Sequence, residues 1–205
     1  MARCSLLYDV LNLIPVDAQV SGYRISEKAL FLKQLDKLQK GDLLLADRGY
    51  CYSSILYTLD QRGIDFCIRL HYSTLNLVKE FTKSDESDLE IEYKIPNRAL
   101  KLMGLPKNTP AIKIRLVKVM LENEEIEVLA TSLLDKKKFH IKIFKDLYFQ
   151  RWGVEEAFKI LKSRVGLEAF SGKAARSVYQ DFHAKIFMMT MCSALTHSAE
   201  QKVRK

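Results

Sequence analysis

The chain has 205 residues, of which 48% are apolar and 28% are charged, with only 4 prolines and 8 glycines. This composition suffices for one hydrophobic core of ordinary globular size and excludes a disordered, collagen-like or coiled-coil chain. Lys and Arg number 33 against 25 Asp and Glu, so the net charge is +8. A basic surface attracts polyanions, and nucleic acid is therefore the first partner to test.

Cysteine spacing and apolar segments exclude several other classes. The 4 cysteines form no Cys-x-x-Cys pair, and none has a histidine at zinc-finger spacing, so neither a zinc site nor a disulfide framework is expected. The N-terminal residues contain no signal-peptide run, and the longest apolar stretch, 184–195, contains Lys185 and is too short to span a bilayer. We expect a soluble protein of a reducing cytoplasm, without membrane association.

The chain begins with a predicted β-hairpin. Two short strands, 5–11 and 15–20, are separated by three residues, as in antiparallel pairs joined by a tight loop. Ser26 then predicts a helix N-cap, and the apolar spacing that follows predicts an amphipathic helix ending near Gly41. This helix is expected to cross over to the next strand.

The next segment predicts a small α/β core. The uninterrupted apolar run 43–46 is typical of a strand buried on both faces, and Asp47 follows directly at its carboxyl end. A helical stretch at 53–61 leads to a second buried strand at 64–70. Strands that alternate with helices in this way indicate an α/β architecture.

The remainder divides into a β-rich part and a helical part. Acidic residues, prolines and β-type runs at 112–120 and 126–134 indicate a β-rich insertion between about residues 74 and 140. From His140 the pattern predicts one helix that continues to Val165. After a loop, a last helix is predicted over about 178–198.

Several side chains that could take part in catalysis or binding share one face of the predicted 140–165 helix. At about 100° per residue, this face carries Tyr148, Arg151, Trp152, Glu155, Lys159 and Lys162, and an apolar stripe lies beside it. A solvated surface with an i, i+4 pair between Glu155 and Lys159 is the simpler interpretation. However, aromatic rings among cations suit base stacking and phosphate contacts, and a carboxylate among cations suits a bound divalent metal.

The same residues carry a family resemblance. The segment YFQRWGVEEAFKILK at 148–162 matches a Y-x2-R-x3-E-x6-K signature, and on it the chain resembles DDE transposases of bacterial insertion sequences, the insertion-sequence-4-like branch. The blocks ARCSLLYDVLN, GDLLLADRGY, FCIRL and EVLATSLLD follow in the family's order. The resemblance implies an α/β, RNase H-like mixed sheet with flanking helices and a β-rich insertion before the helix of the catalytic glutamate.

The resemblance also implies three segments and a set of partners. Residues 1–73 would form the N-terminal part of the RNase H-like core, 74–140 the insertion, and 141–205 the catalytic helix and C-terminal helix. The substrate would be the double-stranded DNA of transposon ends, bound by a homodimer or higher assembly. The location would be the bacterial cytoplasm, in association with the nucleoid.

The catalytic chemistry implied by the resemblance is divalent-metal-dependent phosphoryl transfer. Family members hold two ions between three carboxylates, and oxygen ligands favour Mg²⁺ or Mn²⁺. Asp47 matches the second aspartate and Glu155 the glutamate, so both are predicted catalytic residues and metal ligands, with oxygens roughly 4 to 8 Å apart. The predicted DNA-binding residues are Tyr148, Arg151, Trp152, Lys159, Lys162 and Arg48.

The chain departs from the family pattern at the first aspartate. The family carries that residue on a strand before the ARCSLLYDVLN block, and the chain is expected to start after this strand as an N-terminally truncated transposase. Asp9 and Asp17 are the only early alternatives, and neither is followed by Gly. With two of three carboxylates, the chain alone is expected to be inactive in DNA cleavage and strand transfer.

Two other functions remain open. A remnant that binds DNA ends without cutting them is the main alternative, because it requires the basic residues and not a complete metal site. A restriction-like nuclease is a further alternative, since Glu92-Tyr93-Lys94 forms an E-x-K motif with Asp88 upstream. That motif is short and leaves the residues of the 148–162 signature unexplained.

Overall fold

The computed structural model describes residues 2–71, 76–121 and 125–203. In chain order the strands are β1 (Ala2–Asp9), β2 (Ile14–Gly22), β3 (Leu43–Ala46), β4 (Asp65–Arg69), β5 (Asp88–Tyr93), β6 (Ile112–Met120) and β7 (Ile126–Thr131). The helices are α1 (Glu27–Gln34), α2 (Ser53–Gln61), α3 (Asn76–Lys83), α4 (Asn97–Met103), α5 (Ile143–Phe149), α6 (Trp152–Ser163) and α7 (Ala175–Val203). The chain forms two compact units: unit 1 comprises residues 1–37 and 151–205, and unit 2 comprises residues 38–150.

Unit 2 contains a five-stranded mixed sheet with the strand order β3-β4-β7-β6-β5. The β3–β4 pair is parallel, and the other three pairs are antiparallel. β4 lies between β3 and β7, and its residues Phe66, Cys67 and Ile68 are almost fully buried, as predicted for the second buried strand. The prediction that the run 43–46 is buried on both faces is wrong, because β3 lies at an edge of the described sheet and only Leu44 and Ala46 are buried. One core cluster joins these strands to α5 through Val117, Leu129 and Phe144.

The predicted fold class is confirmed. The mixed sheet with flanking helices is consistent with an RNase H-like fold. The strands of the predicted insertion, β5, β6 and β7, belong to the same sheet as β3 and β4, and the segment predicted as an insertion also contains the helices α3 and α4. The start of the predicted insertion, near residue 74, lies outside the described residues.

Unit 1 contains the predicted hairpin and three helices. β1 pairs with β2 in antiparallel register, with an irregularity between Leu7 and Tyr8. Ser26 is the N-cap of α1 as predicted, because its hydroxyl accepts a hydrogen bond from the N–H of Ala29 at 3.2 Å. The hairpin packs against α6 and α7 around a core of Leu161, Phe182 and neighbouring apolar side chains.

A glycine sets the spacing between α6 and the hairpin loop. A Cβ atom added at Gly153 would lie 3.0 Å from Cγ1 and 3.3 Å from Cβ of Val10. The absence of a side chain at residue 153 therefore allows the first turn of α6 to approach the end of the hairpin closely.

The prediction of one continuous helix over 140–165 is wrong. Two helices, α5 and α6, are separated at Gln150 and Arg151. Two hydrogen bonds of the i→i+3 type mark this break, from the Gln150 N–H to Leu147 O and from the Val154 N–H to Arg151 O. Gly153, a weak helix former, follows the break by two residues.

Other element boundaries differ slightly from the sequence pattern. The first helix ends at Gln34 and continues as a 3₁₀ turn over Leu35–Lys37, and Gly41 adopts a φ of 100° in the loop that follows. β7 ends at Thr131. The proposed segments 1–73, 74–140 and 141–205 do not coincide with the two compact units, and as a division into domains they stay a prediction.

Within the described ranges, no helix combines the length and apolar composition needed to cross a bilayer.

Candidate functional site

Asp47 lies at the end of β3 and is held by an arginine. Its Oδ1 accepts hydrogen bonds from the N–H of Arg48 at 2.7 Å and from Nε of Arg69 at 2.9 Å. The strand register explains this contact, because Ala46 pairs with Ile68 in the parallel β3–β4 ladder. The next residues in both strands, Asp47 and Arg69, are therefore neighbours at the carboxyl ends of the strands.

Arg69 connects Asp47 to a second carboxylate. Its guanidinium also forms an ion pair with Glu127 on β7, the strand on the other side of β4. Burial opposes the charge of this guanidinium, but Glu127 and Asp47 outweigh that effect and raise the pKa of Arg69. The sequence interpretation missed Arg69 and Glu127, although the alignment of two adjacent parallel strands could have indicated Arg69.

Glu155 lies in the first turn of α6 and is also held by an arginine. A terminal nitrogen of Arg151 donates to Oε1 of Glu155 at 2.8 Å, and only 11% of the Arg151 side chain is exposed. The guanidinium carbon of Arg151 also lies 5.1 Å from the ring centroid of Trp152, within cation–π range. The ring of Trp152 nevertheless remains 47% exposed.

The lysines on the same face of α6 are largely exposed. Lys159 pairs with Glu156 at 2.5 Å, and Lys162 lies 3.7 Å from Glu168. The simple surface pair between Glu155 and Lys159 is not formed, because each of the two residues has a different partner. The side chains of Lys159 and Lys162 remain 68% and 58% exposed. Glu155, Lys159 and Lys162 thus share one face within unit 1.

Tyr148 and Arg48 belong to unit 2, whereas the α6 face belongs to unit 1. Tyr148 is only 6% exposed, and its hydroxyl donates to the carbonyl oxygen of Ala46 at 3.3 Å. It therefore contacts the residue that precedes Asp47. Arg48 is exposed in a 3₁₀ turn directly after Asp47. A DNA contact by either residue stays a prediction.

Asp9 has a structural role at the tip of the hairpin. Its Oδ1 accepts hydrogen bonds from the N–H groups of Leu11 at 2.9 Å and Asn12 at 3.0 Å, and its Oδ2 accepts from the Asn12 amide at 2.7 Å. Partial burial would raise the pKa of Asp9, but these hydrogen bonds outweigh it and lower the pKa. Both carboxylate oxygens are thus used by the loop between β1 and β2. Asp17 accepts from Gln19 at 3.0 Å.

The residues of the E-x-K motif serve the sheet of unit 2. Asp88, the upstream carboxylate, forms a two-point ion pair with Arg115 at 2.8 and 2.6 Å. Tyr93 is buried, while Glu92 and Lys94 on either side of it are exposed. The pairing of Asp88 with a fully buried guanidinium indicates a structural role for this carboxylate.

The donor chemistry of Asp47 and Glu155 fits a hard divalent cation. Each carboxylate is oriented by an arginine through one oxygen, while no hydrogen bond within the described part of the chain involves Oδ2 of Asp47 or Oε2 of Glu155. Both side chains are 38% exposed. Among the described residues, however, no group of three or more His, Cys, Asp and Glu side chains could hold a metal ion. Asp47 and Glu155 belong to different units, so their predicted separation stays a prediction.

The four cysteines, Cys4, Cys51, Cys67 and Cys192, are free thiols. Burial raises the pKa of both Cys51 and Cys67 to about 12, so these thiols are protonated at neutral pH.

Comparison with known protein families assigns the chain to one family. The family model of the transposase DDE domain matches residues 1–192, which is nearly the whole chain, and the chain therefore belongs to this family. No curated protein sequence matches it. Membership in this family associates the chain with DNA transposition and with a DNA substrate.

Proposed function

We propose that this chain supplies catalytic-domain residues of an insertion-sequence transposase of the insertion-sequence-4-like branch. Such an enzyme cleaves DNA at transposon ends and transfers the strands, and it needs a third carboxylate in addition to Asp47 and Glu155. The observation that supports this most directly is the pair of arginine-held carboxylates, Asp47 and Glu155, each with one oxygen open to a ligand. Family membership supplies the DNA substrate, and the net charge of +8 is in accord with it.

In this mechanism two carboxylates, each held by an arginine, would take part in phosphoryl transfer. Asp47 and Glu155 would hold Mg²⁺ or Mn²⁺, which when bound activates the attacking oxygen and stabilises the leaving oxygen. Arg69 fixes the rotamer of Asp47, and Arg151 fixes that of Glu155. Such positioning reduces the reorganisation needed when DNA binds.

The exposed cations and aromatic ring of α6 would bind the DNA end. Lys159 and Lys162 present largely exposed ammonium groups to phosphates, and Trp152 presents about half of its surface for stacking on a base. From unit 2, the exposed Arg48 would add a phosphate contact. Tyr148 is buried, so we propose that it supports the strand end beside Asp47 through its hydrogen bond to Ala46.

DNA-end binding without cleavage is the second candidate function. Only Asp47 and Glu155 match carboxylates of the family pattern, and both oxygens of Asp9 are used by the hairpin loop. In that case the chain would occupy transposon ends through the same basic side chains. It would not carry out phosphoryl transfer on its own.

A salt titration of DNA binding tests the proposed helix face. We expect the double variant Lys159→Gln, Lys162→Gln to reduce the slope of log K against log salt by about two units, because each lost phosphate contact contributes about 0.9. Binding of a labelled duplex, followed by fluorescence anisotropy at several salt concentrations, measures this slope.

The matched control is Lys33→Gln, Lys37→Gln, which removes the same charge from exposed lysines of unit 1. We expect the control to change the slope by well under one unit. Equal slopes for the two double variants would mean that the α6 face is an ordinary solvated surface.

A further inference from the structure

A lysine-rich segment of unit 2 lies outside every site described so far. The segment, which we call the lysine tract, comprises residues 136–145 and contains five lysines and no acidic residue. We propose that the lysine tract and the adjacent Phe149 form a second DNA-binding surface, which contacts the phosphate backbone. This inference rests on the proposed function and adds a DNA contact to it.

The backbone of the lysine tract is fixed by a turn and by a buried arginine. The side chain of Asp135 accepts hydrogen bonds from the N–H groups of Lys137 at 2.9 Å and Lys138 at 3.0 Å. One nitrogen of Arg115 donates to the carbonyl oxygens of Leu133 at 3.0 Å and Phe139 at 2.8 Å, which lie on either side of this turn. The lysines therefore project from a held loop.

The positive charge of unit 2 is concentrated in this segment. Residues 38–134 contain 13 Lys and Arg against 14 Asp and Glu, a net charge of −1, whereas residues 135–150 contain five Lys and two Asp, a net charge of +3. A concentrated charge of one sign raises the local potential more than the same charge scattered over a surface. The unit therefore has one strongly basic segment.

Most of this charge is not neutralised by carboxylates of the described residues. Lys136 lies 3.3 Å from Asp88, and the ammonium of Lys138 lies 5.1 Å from the ring centroid of Phe139. Across the described ranges, Lys137, Lys142 and Lys145 have no carboxylate within 4.0 Å, and all three are exposed. By contrast, Lys159 and Lys162 on α6 each have a glutamate nearby.

An exposed aromatic ring favours nucleic acid over another acidic partner. Phe149 is 68% exposed and follows Lys145 by one helical turn on α5, so the ring and the ammonium project from neighbouring positions. Lysines beside an exposed aromatic residue are typical of surfaces on which phosphates are bound and bases stack. Carboxylate side chains of an acidic protein segment would pair with the lysines but would not stack on Phe149 as a base does.

The test is the salt dependence of DNA binding by the 205-residue chain. The triple variant Lys137→Gln, Lys142→Gln, Lys145→Gln is expected to reduce the slope of log K against log salt by about two to three units. Its affinity for a labelled duplex should fall about tenfold or more at moderate salt. An unchanged thermal midpoint would confirm that the variant is folded.

The matched control is Lys94→Gln, Lys101→Gln, Lys107→Gln, which removes three exposed lysines from other parts of unit 2. It should change the slope by less than one unit. If the two triple variants behave alike, the lysine tract is not a DNA-binding surface. If the tract variant is unchanged while the Lys159, Lys162 variant loses about two units, this inference is wrong and the proposed function stands. If neither variant weakens binding, the proposed function itself fails.

The role of Phe149 has its own measurement. Phe149→Leu, which keeps an apolar side chain but removes the ring, is expected to weaken binding to DNA with an unpaired end about fivefold or more and to leave fully paired DNA within about twofold. Equal affinity of wild type and variant for the unpaired end would overturn the assignment of Phe149 to this surface.

Discussion

Asp88→Asn is expected to reduce the free energy of unfolding by about 3 to 5 kcal/mol, because it leaves the guanidinium of Arg115 buried without a counter-charge. Arg115 is fully buried on β6, and both oxygens of Asp88 on the neighbouring strand β5 pair with it. The same guanidinium lies 5.0 Å from the ring centroid of Phe144. Urea unfolding of wild type and variant at neutral pH measures the difference.

Glu92→Gln is the matched control, since Glu92 is an exposed carboxylate on the same strand. We expect it to change the free energy of unfolding by less than about 0.5 kcal/mol. The double variant Asp88→Leu, Arg115→Met should recover much of the lost stability, because it removes both charges together. A loss below about 1 kcal/mol for Asp88→Asn would show that the pair contributes no more than a surface ion pair.

The same ion pair gives a pH dependence. Partial burial would raise the pKa of Asp88, but hydrogen bonds from Arg115 and Lys136 outweigh it and lower the pKa. The stabilisation is therefore complete above the ordinary carboxyl pKa of about 3.9 and is lost as pH falls through the lower pKa of the folded state. The difference in unfolding free energy between wild type and Asp88→Asn should shrink over that acidic range.

Given labelled DNA ends and Mg²⁺ or Mn²⁺, the 205-residue chain is expected to bind the DNA and to release no nicked or joined product. The proposed two-ion phosphoryl transfer depends on three carboxylates, and Asp47 and Glu155 are the two that we propose as metal ligands. The carboxylate of Asp9 is committed to hydrogen bonds with Leu11 and Asn12. Denaturing gels measure the cleaved and joined DNA products, and fluorescence anisotropy of the same samples measures DNA binding.

Binding should persist in Asp47→Asn and Glu155→Gln, because the phosphate contacts come from cations and not from these carboxylates. This pair of variants separates binding from chemistry. Metal-dependent cleavage that Asp9→Ala abolishes would show that Asp9 completes the site. Such a result would also exclude DNA binding without cleavage as the function of the chain.

Local patterns in the sequence were sufficient for much of the fold. The hairpin, the Ser26 N-cap and the buried strand β4 follow from residues close together in the chain, and the structure contains all of them. β3 forms where it was predicted, but its burial on both faces was wrong, because its place at an edge of the described sheet depends on the strand order. The break between α5 and α6 could not be predicted from periodicity, because the apolar spacing continues across Gln150 and Arg151 while the backbone forms a tight turn. Burial of Tyr148 in unit 2 follows from that break.

The candidate site was only partly predictable for a similar reason. Asp47 and Glu155 lie in recognisable sequence blocks. Their arginine partners differ in whether the sequence alone could indicate them. Arg151 lies four residues before Glu155 and could be found from helical spacing, whereas Arg69 reaches Asp47 only through strand pairing. Glu127 lies still further from Asp47 in the sequence, and it reaches Arg69 because β7 pairs with β4. Contacts of this kind depend on the order of strands in the sheet, which a single sequence does not specify.

The close approach of Gly153 to Val10 makes these two positions interdependent in evolution and in engineering. Any side chain at residue 153 would need a smaller residue at 10, because the space for one methyl group is already occupied by the valine. Since Glu155 lies only two residues further along α6, a mismatch at this contact would tilt the helix that presents it. The residue types that can be accepted at 153 on α6 and at 10 in the hairpin loop therefore limit each other.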